Sequence, residues 1–168
     1  MWNTGERVGA WRSLVARTVR VGEVPGSNPG APIFTMSADH DADIRARIKR
    51  HWEASESGDL DAEHAIYATD AILDYPQSGE RFSGRSRIQA QRGGHPAERH
   101  FTIRRILGGG ELWVSECVIT YDGVPTYSVS IMEFTDGLAT HETQYFADPF
   151  PAAPGRAALA EPIPTDDR

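Results

Sequence analysis

The sequence contains little cysteine and no long hydrophobic run. Cys117 is the single cysteine among 168 residues, which excludes an intramolecular disulfide and a zinc site built from several cysteines. No apolar run approaches the roughly 20 residues of a membrane-spanning helix, and no signal-peptide hydrophobic region lies near the start. These absences predict a cytoplasmic protein without a membrane partner. Because Cys117 lies in an apolar run, we expect a buried thiol rather than a nucleophile.

Positive charge is also scarce. The chain has 17 Lys and Arg against 24 Asp and Glu, for a net charge of −7, and beyond residue 36 there are 13 basic against 22 acidic residues. This balance opposes binding to a phosphate backbone, so no nucleic-acid partner is expected. The hydrophobic content of 39% in a chain of this length suffices for one core, which indicates one domain.

Composition divides the chain into three parts. Residues 37–150 carry the periodic patterns of a folded domain, whereas residues 1–36 lack them and contain a run of turn formers at 25–32, which predicts a disordered extension. Three interpretations of this extension stay open: a mis-annotated gene start with the true start at Met36, a functional arm, and a mitochondrial presequence. The proline-rich residues 151–168 are expected to form a flexible tail.

Hydrophobic periodicity predicts helices early in the domain. A stripe with a spacing of about four residues predicts a helix from Asp43 that ends at Gly58. Asp59 is the expected N-cap of a second, short helix that ends near residues 68–70, and a third helix is expected over residues 85–92. The stripe of the first helix consists of Ile44, Ile48, Trp52 and Ser55.

Strand-like runs follow the helices. The first lies at residues 71–75, before a turn-rich segment at 77–84. Asp122-Gly123 and Asp136-Gly137 are strong hairpin signals between later runs. Helices followed by an antiparallel meander indicate an α+β fold with helices on one face of a sheet. The later runs are residues 100–107, 111–121, 125–134 and 138–146.

Four stretches carry a resemblance to a known family, and they are Ser57 to Ala62, Tyr67 to Ala71, Phe82 to Ile88 and Glu142 to Phe146. With this order of elements, residues 37–150 resemble the nuclear transport factor 2-like superfamily, and in particular its SnoaL-like members. Ketosteroid isomerase, polyketide cyclases and limonene-epoxide-hydrolase-like enzymes belong to it, as do non-catalytic proteins. The resemblance implies a cone-shaped, strongly curved antiparallel sheet wrapped by about three N-terminal helices around a small-molecule pocket.

The catalytic sets of two family members are not retained in kind. The three ketosteroid isomerase positions fall near His51, at or beside Tyr75 with Asp74 just before it, and near Ser130. The epoxide hydrolase positions fall near Cys117, Ser115 and Gln144. The resemblance therefore predicts the fold more strongly than the reaction.

The same alignment sets which strand residues face the cone interior, because alternate residues share one face. A shift of one residue would bring in Glu116, Tyr127, Glu133 and His141 instead. The resemblance thus implies that one set of strand residues lines a ligand-binding pocket, together with His51 at the edge of the first helix stripe. The strand residues of this lining are Trp113, Ser115, Cys117, Ser128, Ser130, Met132, Glu142, Gln144 and Phe146.

Glu142 is the best acid/base candidate, because a carboxylate in a partly dry cone has a raised pKa unless an arginine lies within reach. A structural ion pair with a neighbouring arginine is the competing interpretation. Asp74 and Tyr75 come next: one of them should point inward as a base or a hydroxyl donor, although Tyr75 also suits a core aromatic. His51 is either a donor to a ligand or a hydrogen-bonded interface residue.

Two functions stay open. One is a cofactor-independent enzyme, an isomerase, cyclase, dehydratase or hydrolase, that acts on a small apolar substrate. The other is a non-catalytic ligand-binding or dimerisation module. No metal is predicted, because His95 and His100 lie in or beside a loop and His40 and His64 on expected solvated surfaces. A homodimer is expected through an apolar outer sheet face, formed by Val118, Tyr127, Val129, Ile131 and Tyr145.

Overall fold

The fold is an α+β arrangement of helices against one curved, unclosed sheet. It was obtained as a computed structural model that describes residues 35–163. The elements are α1 (Thr35–Ser57), α2 (Leu60–His64), α3 (Arg85–Gly93), and the strands β1 (Tyr67–Tyr75), β2 (Glu80–Ser83), β3 (Arg99–Gly109), β4 (Leu112–Tyr121), β5 (Val124–Thr135) and β6 (Leu138–Ala147). A 3₁₀ helix with exposed residues follows at Pro154–Leu159. The expected N-terminal extension lies outside the described residues, except that its last two residues begin α1.

Helix α1 forms where periodicity predicts it but begins eight residues before Asp43. The whole predicted stripe is buried: Ile44 and Ile48 are fully inaccessible, and Trp52 and Ser55 are nearly so. The early start lies in a polar segment that has no apolar period, so a pattern of hydrophobic residues does not detect it. The buried stripe packs α1 against the sheet, where the helix contacts β3.

Helix α2 is shorter than expected. Asp59 caps it as predicted, because its side-chain oxygen accepts a hydrogen bond from the Ala62 backbone N–H at 3.0 Å. The predicted end near residues 68–70 is wrong, since the helix stops at His64 and β1 begins at Tyr67. The strand begins as early as Tyr67 because Tyr67, Ala71 and Leu73 all pack into the core.

The sheet has the strand order β2-β1-β6-β5-β4-β3. Neighbouring strands pair antiparallel, as the meander predicts, except that β1 and β6 pair in parallel. The edge strand β2 falls in the segment that was expected to contain only turns. It is short and mostly exposed, so it lacks the alternation of buried residues on which the prediction of a strand depends.

Two tight hairpins join β4 to β5 and β5 to β6. Asp122 and Gly123 have φ values of 50° and 83°, and Asp136 and Gly137 have 51° and 77°. Positive φ at both central residues is the geometry that Asp-Gly pairs favour, so both predicted hairpins are confirmed. They bring β4, β5 and β6 side by side and thereby align their inward residues.

The core fills the space between α1 and the sheet. Its largest members, Trp113, Tyr67 and Phe134, are at most 2% exposed. None of the helices between residues 35 and 163 is long and apolar enough to cross a membrane. This packing leaves polar side chains enclosed on the inner face of the sheet, and they form the candidate site.

Candidate functional site

The inner face of β4, β5 and β6 carries the residues that the alignment placed there. Ser115, Ser130 and Glu142 are at most 2% exposed, whereas Glu116 and His141 of the alternative parity are only half-buried. Cross-strand pairing places Ser115 opposite Ser130 and Ser130 opposite Gln144. A band of polar side chains therefore runs across three strands inside the fold.

Arg92, near the end of α3, is the centre of this polar cluster. Its Nη1 donates to the Tyr67 hydroxyl at 2.7 Å, and its Nη2 donates to Glu142 Oε2 at 2.9 Å and to Gln144 Oε1 at 3.2 Å. Glu63 Oε1 of α2 lies 3.8 Å from Nη1. The guanidinium side chain is only 8% exposed, so it is a buried charge between two buried carboxylates.

A raised pKa was expected for Glu142 unless an arginine lay within reach, and Arg92 meets that exception. Burial by itself raises the pKa of this carboxyl, but Arg92 and the hydrogen bonds from Tyr67 and Ser130 outweigh burial, and the net pKa is lowered. Ser130 Oγ donates to Oε1 at 2.7 Å, and the Tyr67 hydroxyl donates to Oε2. Arg92 lies 50 residues away along the chain, and it is this long-range partner that reverses the shift.

Three buried polar atoms near Arg92 have no hydrogen-bond partner within residues 35–163: His51 Nε2, Glu63 Oε2 and His64 Nε2. Both histidines place Nδ1 against a backbone carbonyl, at 2.6 Å from Glu63 O and 2.7 Å from Leu60 O. Nδ1 must therefore carry the proton, and each Nε2 is a bare acceptor. Burial, followed by the charge of Arg92, lowers the pKa of His51 to about 4, so this ring is neutral at pH 7.

The prediction that His64 lies on a solvated surface is wrong, since this residue is 1% exposed. Helix α2 turns it toward Tyr67, with 5.9 Å between the ring centroids. Burial lowers the pKa of His64 as well. His40, by contrast, is exposed as expected.

A small cavity of about 60 Å³ adjoins the cluster. Of the predicted site residues, Tyr75, Gln144 and Phe146 line it, and Arg92 and Glu63 form its inner end. Its remaining lining is Gln91, His95, Arg99, Phe101, Ile119 and Tyr121. A space of this size suits a molecule of a few non-hydrogen atoms, because a cavity needs roughly 10–15 Å³ to hold one water molecule.

Asp74 and Tyr75 lie on opposite sides of β1. The Asp74 carboxylate accepts hydrogen bonds from Arg81, at 2.7 and 2.8 Å, and lies 2.9 Å from His141 Nε2. Arg81 is the main reason that the pKa of Asp74 is strongly lowered, and these contacts belong to the outer side. Tyr75 points inward, where Gln91 Nε2 donates to its hydroxyl at 2.9 Å. The inward position thus belongs to Tyr75, and Asp74 adds no group to the cavity.

Most of the predicted ligand-binding residues bond to other protein groups or pack in the core instead of lining the cavity. Trp52 Nε1 donates to Ser115 at 3.1 Å, and Gln144 Nε2 donates to Ser128 at 3.0 Å. Trp113 and Met132 are 1% exposed members of the core. The interior of the cone is therefore filled around these strand residues, and the free volume lies toward Tyr75 and Phe146.

Cys117 is a buried thiol, as predicted, and burial raises its pKa to about 11. A thiol with this pKa is almost wholly protonated at neutral pH and is a poor nucleophile. Within the described part of the chain, no group of three or more His, Cys, Asp or Glu side chains has the geometry to hold a metal ion.

A larger groove of about 610 Å³ lies between α1 and β3. Lys49 and Glu53 contribute charged groups to it, whereas Trp52 and Phe101 form its apolar part. The groove is open to solvent, and the buried charges and bare acceptors lie elsewhere. We therefore place the candidate site at the smaller cavity, where desolvated ionisable groups meet a half-enclosed space.

Arg92, Glu63 and Tyr67 are the members of the cluster that reasoning from the sequence missed. Arg92 follows Ile88 by one helical turn, and both are buried, so the spacing was a usable signal that α3 turns an arginine inward. Glu63 lies one helical turn after Asp59, the N-cap of α2, and it is buried. A sequence pattern does not show that these side chains meet.

Comparisons with known proteins agree with this fold. The sequence model of a SnoaL-like domain matches residues 48–142. The chain is similar to an NTF2-like protein of unknown function from Burkholderia xenovorans LB400, with 52% identity, a TM-score of 0.70, and coverage of 74% of this chain and 98% of that chain. None of the curated proteins matches the chain.

Two solved structures of lower identity share the fold. One is a putative ketosteroid isomerase from Kribbella flavida DSM 17836, with 23% identity, a TM-score of 0.71, and coverage of 79% of this chain and 96% of that chain. The other is an LEH-like epoxide hydrolase from M. tuberculosis, with 19% identity, a TM-score of 0.54, and coverage of 63% and 84%. At these identities the likeness shows the fold alone.

Proposed function

Because the chain belongs to the SnoaL-like domain family, we propose that it is a small-molecule pocket protein that carries out general acid/base chemistry without a cofactor. The reaction class is that of an isomerase, cyclase, dehydratase or hydrolase acting on a small, largely apolar molecule. The single buried cysteine supports a reducing, cytoplasmic location.

The observation that carries this proposal is the buried series Glu63, Arg92 and Glu142 beside a half-enclosed cavity. Each buried charge loses several kcal/mol of hydration, and a pair is retained only when its partners and hydrogen bonds offset that loss. Such costly arrangements concentrate at functional sites, where a permanent positive charge stabilises negative charge that develops on a ligand. Two carboxylates and a tyrosine hydroxyl supply the proton-transfer groups.

The inward Tyr75 suits the second role that the sequence suggested for it. Its oxygen accepts the hydrogen bond from Gln91, so its own hydrogen remains available to a ligand oxygen. Phe146 packs edge-on against the Tyr75 ring, with 5.3 Å between centroids, and limits access of water. Glu63, Tyr75 and Arg92 thus line one cavity together with the aromatic side chains of Phe101, Tyr121 and Phe146.

The test is a ligand screen followed by turnover. Small ketones, lactones and epoxides are screened by thermal shift and native mass spectrometry, and each compound that binds is assayed for conversion. We expect turnover of at least one, and Glu142→Gln should lower it by about 10²-fold or more. Glu111→Gln is the matched control, because Glu111 is an exposed glutamate of the turn before β4. Binding without conversion of any compound contradicts the enzyme proposal.

A non-catalytic binding module is the second candidate, and two observations favour it. Both oxygens of Glu142 already accept hydrogen bonds, as in a structural ion pair, and the cavity is small. In that case the melting temperature rises with the logarithm of ligand concentration above Kd, and the ligands are recovered unchanged. Under either proposal we expect a homodimer through the outer sheet face.

A further inference from the structure

We propose that Glu63 is the proton-accepting catalytic residue of this site and that Glu142 is a positioning residue that holds Arg92. This inference rests on the proposed acid/base function and assigns the separate roles of the two carboxylates. It reverses the order of importance that the sequence suggested, since Glu142 was the leading candidate.

Glu142 is fully engaged by the protein. Its Oε2 accepts from Tyr67 and Arg92, its Oε1 accepts from Ser130, and it has no exposed surface. It is also absent from the lining of the cavity. A carboxylate in this state orients and neutralises Arg92, but a ligand in the cavity does not reach a free lone pair on it.

Glu63 differs from Glu142 in its side-chain contacts and in its place beside the cavity. Among residues 35–163 its buried Oε2 has no hydrogen-bond partner, and the residue lines the cavity. Its Oε1 lies 3.8 Å from Arg92 Nη1, beyond hydrogen-bond distance but close enough for attraction between the charges. A bare carboxylate oxygen costs stability, and a molecule in the cavity that donates a proton or a hydrogen bond would remove that cost.

The backbone around Glu63 is held from two sides. Its N–H donates to Asp59 O at 2.9 Å in the capped helix α2, and its carbonyl oxygen accepts from His51 Nδ1 at 2.6 Å. The backbone that carries the Glu63 side chain is thus held by α1 and α2 and not by the ligand. Preorganisation of this kind is what a general base needs, because proton transfer requires a heavy-atom distance of roughly 2.6–3.2 Å.

Proton transfer in this cavity needs only the ligand and the side chains that line the cavity. The acidic hydrogen of the ligand moves to Glu63 Oε2, and the electron pair of the broken bond moves toward a ligand oxygen. The Tyr75 hydroxyl and the Arg92 guanidinium stabilise the negative charge on that oxygen, and return of the proton from Glu63 restores the site. Besides Glu63, Arg92 and Tyr75, the cavity and the polar cluster contain further charged or titratable groups, namely His51, His64, Tyr67, His95, Arg99, Tyr121 and Glu142.

The first test needs no substrate. Glu63→Gln should leave the melting temperature unchanged or raise it, because it replaces a bare buried carboxylate by a neutral group. Glu142→Gln should lower the melting temperature by several degrees, because it leaves Arg92 without its main partner. A loss of stability in Glu63→Gln as large as that in Glu142→Gln would mean that Glu63 is structural, and it would overturn the inference.

The second test uses pyrazole as a probe that donates through N–H, with 1-methylpyrazole, which lacks that donor, as its matched control. NMR titration should show that the protein binds pyrazole about tenfold more tightly than 1-methylpyrazole, the usual scale of a hydrogen bond to a charged acceptor. The preference should disappear in Glu63→Met and persist in Glu111→Gln. A preference that survives in Glu63→Met, or no preference in the unaltered protein, contradicts the assignment.

The third test applies to a compound that the screen finds to be converted. Glu63→Gln should lower kcat by about 10²-fold or more with little change in KM, because it removes the proton acceptor. Glu142→Gln should lower kcat and raise KM together, because Arg92 loses the partner that orients it. A raised KM in Glu63→Gln with an unchanged KM in Glu142→Gln overturns the role of Glu63 and leaves the proposed function standing. Absence of turnover of every compound in the screen contradicts the proposed function and, with it, the catalytic role of Glu63.

Discussion

At the scale of single residues, the buried His51 links the stability of this protein to pH. Burial lowers its pKa from 6.5 to about 4, so between these two values the unfolded chain binds a proton that the folded protein excludes. The free energy of unfolding therefore falls as the pH falls through this window. The shift corresponds to roughly 3 kcal/mol at about 1.4 kcal/mol for each pH unit.

His51→Gln tests this link, since a glutamine does not titrate. Urea denaturation at several pH values should show that the unaltered protein loses about 3 kcal/mol more than the variant between pH 7 and pH 4. His64, whose pKa burial also lowers, contributes a dependence that both proteins keep. His40→Gln is the control, because His40 is exposed. Equal slopes in His51→Gln and the unaltered protein would show that His51 is not buried and neutral.

At the scale of elements, the turn between β3 and β4 depends on Gly108. This residue has a φ of 151°, and a Cβ at this position would lie 2.4 Å from Leu112 O and 2.7 Å from Trp113 Cα. Both neighbours are backbone atoms of the paired strand, so they do not yield as a flexible side chain would. The close approach is possible only without a side chain.

Gly108→Ala should therefore destabilise the fold by about 3 kcal/mol, through the clash and the unfavourable φ together. Chemical denaturation measures this change. Gly155→Ala serves as the comparison, because the added Cβ meets nothing within 4 Å there, and its effect should remain within about 0.5 kcal/mol. A Gly108→Ala protein of unaltered stability would mean that the β3–β4 turn has another geometry.

At the scale of the whole molecule, the outer sheet face carries apolar side chains in a continuous patch. Tyr127, Val129 and Tyr145 are 39%, 37% and 42% exposed, and Val118 and Ile131 beside them are half-buried. The register brings Val118 opposite Tyr127 and Val129 opposite Tyr145. An exposed patch of this kind favours association with another protein surface, and the homodimer remains a prediction.

Ile131→Arg tests the dimer, because it would place an unpaired charge in the centre of the interface. Size-exclusion chromatography with light scattering should report a dimer for the unaltered protein and a monomer, or insoluble protein, for the variant. Val124→Arg is the control: it adds the same charge to β5 at a position that is 64% exposed and lies outside the patch. An unchanged dimer in Ile131→Arg would place the interface elsewhere.

The sequence by itself determined the elements that local signals encode. The helix stripe of Ile44, Ile48 and Trp52 and the N-cap Asp59 follow from the contacts of neighbours within a few residues, and so do the two Asp-Gly hairpins. Alternation also divides the residues of β4 to β6 into two faces, because it is a local property of a strand, but the resemblance chose which face points inward. Resemblance to a family then joined these elements into the correct fold.

The tertiary structure alone decided the chemistry of the site. The parallel pairing of β1 with β6 and the existence of β2 depend on contacts across the sheet. Arg92 lies on another element than Glu142, and this contact lowers a pKa that burial alone would raise. Charge interactions change steeply over a few ångströms, and those distances are set by packing between residues far apart in the chain. Local periodicity carries no information about them.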